Sequence, residues 1–332
     1  MPSALGALRR LLLAPSLAEV TFDGRGFEAP APAVARRLES IPQAVVVGFE
    51  AGIEASDLRE IEWRLDLVEA ELRGFAYEGA TMALTIVDQL RSRRRAGARD
   101  LLLGPAEPYA FLTYIGIGFA MARLPRRRWS RVLPDLTGSP YYPALSWLAV
   151  DGYGFDLAFF DPQRWVQRQD VPRPYPWLGD AAYFQRAVDQ GIGRALWFIH
   201  GARVSAVAAA VTRFPERRRA DLWSGVGLAA AFAGGADRAG LLELRAAAGP
   251  LRPELGQGAA FAAKARQYAG LVPAHTERAA GVLAGMPAAA AAGLVDAAVA
   301  AAPVAGPTGS GLVYEQWRCY VRRRFAHVDP DV

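Results

Sequence analysis

Asp189-Gln190-Gly191-Ile192-Gly193-Arg194, followed by Asp221-Leu222-Trp223-Ser224-Gly225-Val226-Gly227, holds the pattern that decides the fold. Gly-x-Gly recurs at Gly116/Gly118, Gly152/Gly154, Gly191/Gly193, Gly225/Gly227 and Gly256/Gly258, with steps of 36, 39, 34 and 31 residues between first glycines. A mostly small or apolar run follows each pair, such as Phe119 to Ala122 or Leu228 to Ala233. Gly74-Phe75-Ala76-Tyr77-Glu78-Gly79 is a looser copy ahead of the first pair. A period in this range suits a helical-hairpin repeat, in which each unit buries its apolar face on its neighbours. Glycine at such positions permits close helix approach. The expectation is an all-α protein of helical-hairpin repeats, an α/α solenoid or toroid-like array in one large domain.

The surrounding sequence agrees with helix. Leu58, Ile61, Leu65, Val68, Leu72 and Phe75 recur at steps of three and four, opposite charged residues. Asp57 and Glu60 form a capping-box pattern ahead of them. Comparable stripes run through Val204/Val207/Val211/Phe214 and Val313/Trp317/Val321. Ala44-Val45-Val46-Val47 is the one strand candidate. Pro30, Pro32 and Pro42 make 1–41 an irregular leader, 42–285 the repeat domain, 286–310 an Ala/Pro/Gly-rich linker and 311–332 a C-terminal helix.

At 332 residues, with 52% apolar and 21% charged types, the chain has the balance of a globular protein. The net charge is +5, but the arginines sit in short clusters at 91–95, 126–128, 217–219 and 322–324, which read as solvated helix ends. Nucleic-acid binding needs a contiguous basic face, so it is not expected. Cys319, the sole cysteine, excludes an intramolecular disulfide and multi-cysteine metal sites, and is expected as a buried inert thiol. The run Leu11 to Ala14 is too short for a signal-peptide core. The stretch Met286 to Pro307 is mostly alanine, broken by Asp296, Pro303 and Pro307, and does not read as a membrane span. A cytoplasmic location is expected.

Gly225-Val226-Gly227-Leu228-Ala229-Ala230 looks like a dinucleotide fingerprint, but Arg217 to Ser224 ahead of it is not a strand, so no nucleotide site is read there. His200, His275 and His327 are too dispersed for a zinc set, and no metal or other cofactor is expected. In Pro273-Ala274-His275-Thr276-Glu277, Thr276 and Glu277 suit a helix start. Alternatively His275 carries a proton and Glu277 orients it. Acids also fall beside the glycines: Glu78, Asp151, Asp189 and Asp221. With repeats in register they gather round one groove or interior pocket, neutralised by Arg194 and Arg219. Otherwise each caps its own helix or pairs locally. The candidate catalytic set is therefore His275, Glu277, Asp151, Asp189 and Asp221. The binding set is Tyr114, Phe155, Trp197, Trp223, Arg194 and Glu78, around a cavity of roughly 300–1,000 Å³ for a flat, conjugated, apolar ligand. Burial beside aromatics is expected to keep one of the acids protonated near neutral pH.

Several segments, in order, resemble a family of proteins of unknown function encoded beside enediyne polyketide synthases in actinobacteria and some other bacteria. They are Gly48-Phe49-Glu50-Ala51-Gly52, Arg73 to Ala80, Tyr114 to Gly118, Asp151 to Phe155, Asp189 to Arg194, Arg218 to Gly227, and His275-Thr276-Glu277. The resemblance implies a part in making or maturing the enediyne core after the synthase has released a linear polyene. It brings no catalytic residue set. One reading is a cofactor-independent cyclase, isomerase or dehydratase acting by acid/base placement. The other is a non-catalytic protein that sequesters a reactive apolar intermediate or scaffolds other enediyne biosynthesis proteins.

Overall fold

A computed structural model describes residues 16–90, 96–302 and 310–326. Its main elements are α1 (Pro32–Glu54), α2 (Leu58–Asp66), α3 (Ala70–Leu90), α4 (Gly97–Leu102), α5 (Ala110–Arg123), α6 (Trp147–Phe160) and α7 (Phe184–Ile199). There follow α8 (Val204–Arg213), α9 (Glu216–Ala233), α10 (Arg238–Ala248), α11 (Arg252–Tyr268), α12 (Ala274–Ala279), α13 (Ala288–Ala301) and α14 (Ser310–Ala326). Among the described residues the only β pairing is an isolated bridge between Trp177 and Asp180. The protein is all-α.

Seven of these helices, α1, α3, α5, α6, α7, α9 and α11, pack side by side in chain order. They all point the same way. Arg37 meets Glu71 near the starts of α1 and α3. The rings of Trp147 and Tyr183 lie 5.0 Å apart at the starts of α6 and α7. Further along, Phe119 meets Phe155 at 5.8 Å, and Arg123 pairs with Asp156. Parallel neighbours require a return connection. Four returns include a helix (α2, α4, α8 and α10), while those between α5, α6 and α7 use loops with short 3₁₀ or π turns. The repeating unit is thus the glycine-bearing helix itself, and the helical hairpin expected from the spacing holds for only part of the chain.

The one-residue gap in Gly-x-Gly follows from helix geometry. At 3.6 residues per turn, positions i and i+2 point about 200° apart, to opposite sides of the helix. Each pair therefore serves two neighbours. Gly152 lies against Ile115 of α5 and Gly154 against Val188 of α7; Gly191 lies against Asp151 of α6 and Gly193 against Leu222 of α9. At each of these crossings a backbone carbonyl of one helix occupies the place a Cβ would take on the other. In α11 the order reverses: Gly258 faces Ser224 of α9, and Gly256 faces Leu283 and Phe325.

The row curves until its ends meet. Phe75 of α3 packs on Phe232 of α9 at 5.3 Å, Arg37 Nε donates to the Ala233 carbonyl at 2.7 Å, and Arg266 of α11 donates to the Glu71 carbonyl at 2.8 Å. One face of every row helix thereby lines a shared interior. α14 lies antiparallel to α11 against that face: Arg322 is near Glu254, Arg318 reaches Gln257, and Tyr314 meets Phe261.

Several sequence expectations are corrected here. Ala44 to Val47 lies inside α1, because packing on α3 overrides the strand preference of three valines. The described part of the expected leader is largely ordered: Phe22–Arg25 is a helical turn, Pro32 opens α1 and Pro42 lies within it. The expected linker is mostly α13, packed on α11. The stripe from Leu58 to Phe75 breaks at Leu67-Val68-Glu69 into α2 and α3. Asp57 does cap α2, accepting from Glu60 N at 3.0 Å, while Glu60 accepts from Ser56 N at 2.9 Å. Residues 1–15, 91–95, 303–309 and 327–332, with parts of the leader, linker and arginine clusters expected there, lie outside the described residues.

Candidate functional site

Parallel packing places equivalent residues of the row at one level. The residue just before the inward-set glycine is Glu78 in α3, Asp151 in α6, Gln190 in α7, Ser224 in α9 and Gln257 in α11, all buried. Together they form a polar layer. Asp151 pairs with Arg194 and accepts from Gln190 Nε2 at 2.8 Å; Gln190 also donates to Tyr314 Oη at 3.2 Å. Ser224 donates to Gln257 at 3.1 Å. Four residues further along each helix comes a second layer of Met82, Phe119, Phe155, Arg194, Leu228 and Phe261. These residues line two small adjoining cavities of about 70 Å³ and 40 Å³. Arg194 is the one charged residue in this layer, and with Phe75 and Phe198 it borders both cavities.

Glu78 is the chemically distinctive group. It lines the larger cavity with only 2% of its surface exposed, and its Oε2 has no hydrogen-bond partner among the described residues. Burial pushes its carboxyl up to about 8; the Arg194 charge opposes this shift and the Asp151 charge adds to it. At neutral pH the interior therefore holds a protonated acid beside the Asp151–Arg194 pair. On the wall of the same cavity Arg123 pairs with Asp156, whose carboxyl burial also raises.

The pH dependence of stability follows from linkage. Unfolded Glu78 releases its proton near the ordinary glutamate value of 4.5, whereas the folded protein holds it to about 8. Its contribution is complete below 4.5 and is lost as pH rises from 4.5 to 8. Denaturation of wild type and Glu78→Gln at pH 5 and pH 8 is expected to show a smaller alkaline loss of stability in the variant. Equal losses contradict a proton held by Glu78.

Of the acids expected round one pocket, Glu78 lines the larger cavity together with Arg194, while Asp151 pairs with Arg194 but lines neither cavity. Phe155 joins them as a wall residue, and Arg194 Cζ lies 5.1 Å from its ring centroid. The remaining candidates stand elsewhere. Asp189 faces away from the cavities into a two-pronged contact with Arg218, at 2.7 Å from Nη2 and 3.1 Å from Nε. Its burial still outweighs the pairing and lifts its carboxyl to about 6. Asp221 is paired with Arg186 at 3.0 Å and with Arg318 at 2.8 Å, beneath α14. Arg219 neutralises none of these acids; it donates to the Phe214 and Thr212 carbonyls.

His275 and Glu277 do not form a pair. His275 Nε2–H donates to the Phe232 carbonyl at 3.0 Å, and Nδ1 accepts from Arg37 at 2.9 Å. Burial, with the nearby Arg37 and Arg266 charges, holds its imidazole down at about 4, so it is neutral at pH 7. Glu277 accepts from the Ala288 amide at 3.2 Å at the start of α13, and Thr276 donates to the Ala231 carbonyl at 2.8 Å instead of capping α12. Trp197 is fully buried and donates to the Gly234 carbonyl at 2.8 Å. Tyr114 and Trp223 are buried but line neither cavity.

Gln190, Ser224, Gln257 and the α14 residues Tyr314 and Arg318 escape a search for acids. The position directly before one glycine of each pair is the signal that finds the first three. Cys319 is half-buried, and its Sγ lies 3.3 Å from Glu315. Among the described residues, no three His, Cys, Asp or Glu side chains come together as a metal site needs. No single described helix is long and apolar enough to cross a membrane.

Fold and site together define an all-α protein in which a glycine-sutured row of parallel helices encloses a buried carboxyl beside an ion pair. The chain belongs to the family described as protein of unknown function DUF1702, whose profile matches residues 4–325. No curated protein and no solved structure matches it.

Proposed function

We propose that this protein acts in enediyne polyketide biosynthesis in the cytoplasm, binding a linear conjugated intermediate in its interior and moving a proton with Glu78. The observation that carries the reading is the buried Glu78 carboxyl, with a free Oε2 on a largely apolar cavity wall rich in phenylalanine. The setting comes from the sequence resemblance. A carboxylic acid that stays protonated near neutrality suits general acid catalysis, because its pKa lies close to the working pH. After proton donation, the nearby Arg194 charge favours the Glu78 carboxylate while the Asp151 charge opposes it, so the proton is readily regained. An aromatic, dry surrounding suits a flat polyene and keeps water from a reactive intermediate.

The cavities are smaller than the roughly 300–1,000 Å³ usual for small-molecule sites. Even joined they hold only about 110 Å³, so binding requires the interior to expand beyond a merger, through movement of the side chains the two cavities share. A second reading is sequestration without chemistry. It is favoured by one observation: Arg194, Arg123 and Asp156 on the cavity wall are all engaged in ion pairs, which leaves only Glu78 to react. Glu78→Gln separates the two readings. In a deletion strain whose accumulated polyene is followed by mass spectrometry, the variant is expected to bind polyene while product formation falls on the order of 10²–10⁴-fold. Normal product formation with Glu78→Gln overturns proton transfer and leaves sequestration.

A further inference from the structure

The interior holds two buried carboxyl groups, Glu78 on the wall of the larger cavity and Asp151, and one guanidinium, Arg194, which borders both cavities. Arg194 lies near both acids, yet it is committed to one: Nη1 contacts Asp151 Oδ1, while Glu78 Oε2 goes without a partner. The commitment is built in. Asp151 is fully buried and is held from the other side by Gln190 Nε2 at 2.8 Å. Gln190 is itself tied to Tyr314 Oη of α14 at 3.2 Å. Arg194 is further seated against the Phe155 ring at 5.1 Å.

We propose that Asp151 is a positioning residue: by engaging the Arg194 guanidinium it keeps that cation from pairing with Glu78, and so sets the protonation state of Glu78. The charges must balance. A buried guanidinium needs one counter-charge, because an unpaired buried charge is far costlier than a paired one. Asp151 supplies it, so Glu78 is free to stay neutral. Without Asp151, the nearest replacement is an ionised Glu78. Two acids in different environments thereby take different roles, one a fixed anion and the other a proton donor. That Glu78 transfers a proton to substrate rests on the proposed function; its control by Asp151 does not.

The test is a double-mutant cycle with a carboxyl titration, using the full-length protein. In Asp151→Asn, Glu78 is expected to ionise at pH 7, and its titration midpoint to fall from about 8 into the ordinary carboxylate range. Asp151→Glu is expected to restore the high midpoint. Asp151→Asn and Glu78→Gln are each expected to fold, because one counter-charge remains in each. The double variant leaves Arg194 with none, so its melting temperature is expected to fall well below the sum of the single effects. Arg194→Gln, with no cation to share, is expected to leave Glu78 with a midpoint at or above that of wild type. A high midpoint retained in Asp151→Asn, or strict additivity in the cycle, overturns the proposal. If Asp151→Asn fails to fold, a lowered midpoint in Arg194→Gln overturns it. If the midpoints behave as expected while polyene turnover is insensitive to them, the positioning role stands and proton transfer fails.

Discussion

Leucine at Gly191 or Gly225 is expected to lower stability by ~3 kcal/mol or more, at the upper end of the usual cost of overpacking. A Cβ at Gly191 would overlap the Asp151 carbonyl oxygen and lie 2.7 Å from the Phe155 amide nitrogen. At Gly225 it would overlap the Gln190 carbonyl oxygen and lie 2.8 Å from the Arg194 amide nitrogen. These neighbours are backbone atoms at the centres of long helices, so no rotamer change relieves the overlap. The helices must separate, which breaks contacts along the whole crossing. The same shift disturbs the site, since Asp151, Gln190 and Arg194 all border these two crossings. Gly293→Ala is the control: nothing lies near its added Cβ and the residue sits within α13, so stability should hold or rise by about 0.5–1 kcal/mol. Thermal denaturation decides the matter, and unchanged melting temperatures for both leucine variants contradict backbone contact.

Arg318→Met is expected to cost about 3–5 kcal/mol, the range for breaking a buried ion pair from one side. Arg318 has no exposed surface. Its guanidinium pairs with Asp221 at 2.8 Å and contacts Tyr183 Oη at 2.6 Å, Glu315 at 3.2 Å and Gln257 at 3.2 Å. It fastens α14 to the starts of α7, α9 and α11. Burial works against the charge of Glu315, yet Arg318, Arg322 and Arg186 hold its carboxyl down at about 2, and removing Arg318 takes from Glu315 and Asp221 the one partner that is fully buried. Replacing Asp221 by leucine in the same chain should recover part of the loss. Chemical denaturation measures both. A loss under about 1 kcal/mol for Arg318→Met, the size of an exposed pair, contradicts a buried anchor.

The glycine period was legible because a backbone crossing leaves glycine almost no substitute, and its recurrence marks the row directly. The parallel direction of that row was not. It depends on return segments that are helical in some units and irregular in others, and no periodicity distinguishes a hairpin from a return loop. Three consecutive valines in α1 misled for a related reason: local β preference yields to the face that packs on Gly79. At the site, Glu78 and Asp151 are legible from the glycine register, and Arg194 and Phe155 as the charge and the aromatic nearest them in sequence. Asp189 and Asp221 are legible as charged residues near glycines, but Asp189 stands one position before the register residue Gln190 and Asp221 three before Ser224, which turns them about 100° and about 60° away towards arginines. His275 and Glu277 are adjacent in sequence yet diverge, one towards α9 and the other towards α13.

The interior is expected to hold an acid still protonated at neutral pH. A carboxyl-selective titration of Glu78, by carbon NMR or by the infrared carbonyl band and assigned by its loss in Glu78→Gln, measures this directly. The expected midpoint is about 8, with the protonated form dominant at pH 7. A midpoint in the ordinary range near 4.5 would mean that the carboxylate is solvated or paired with Arg194, and would contradict the account.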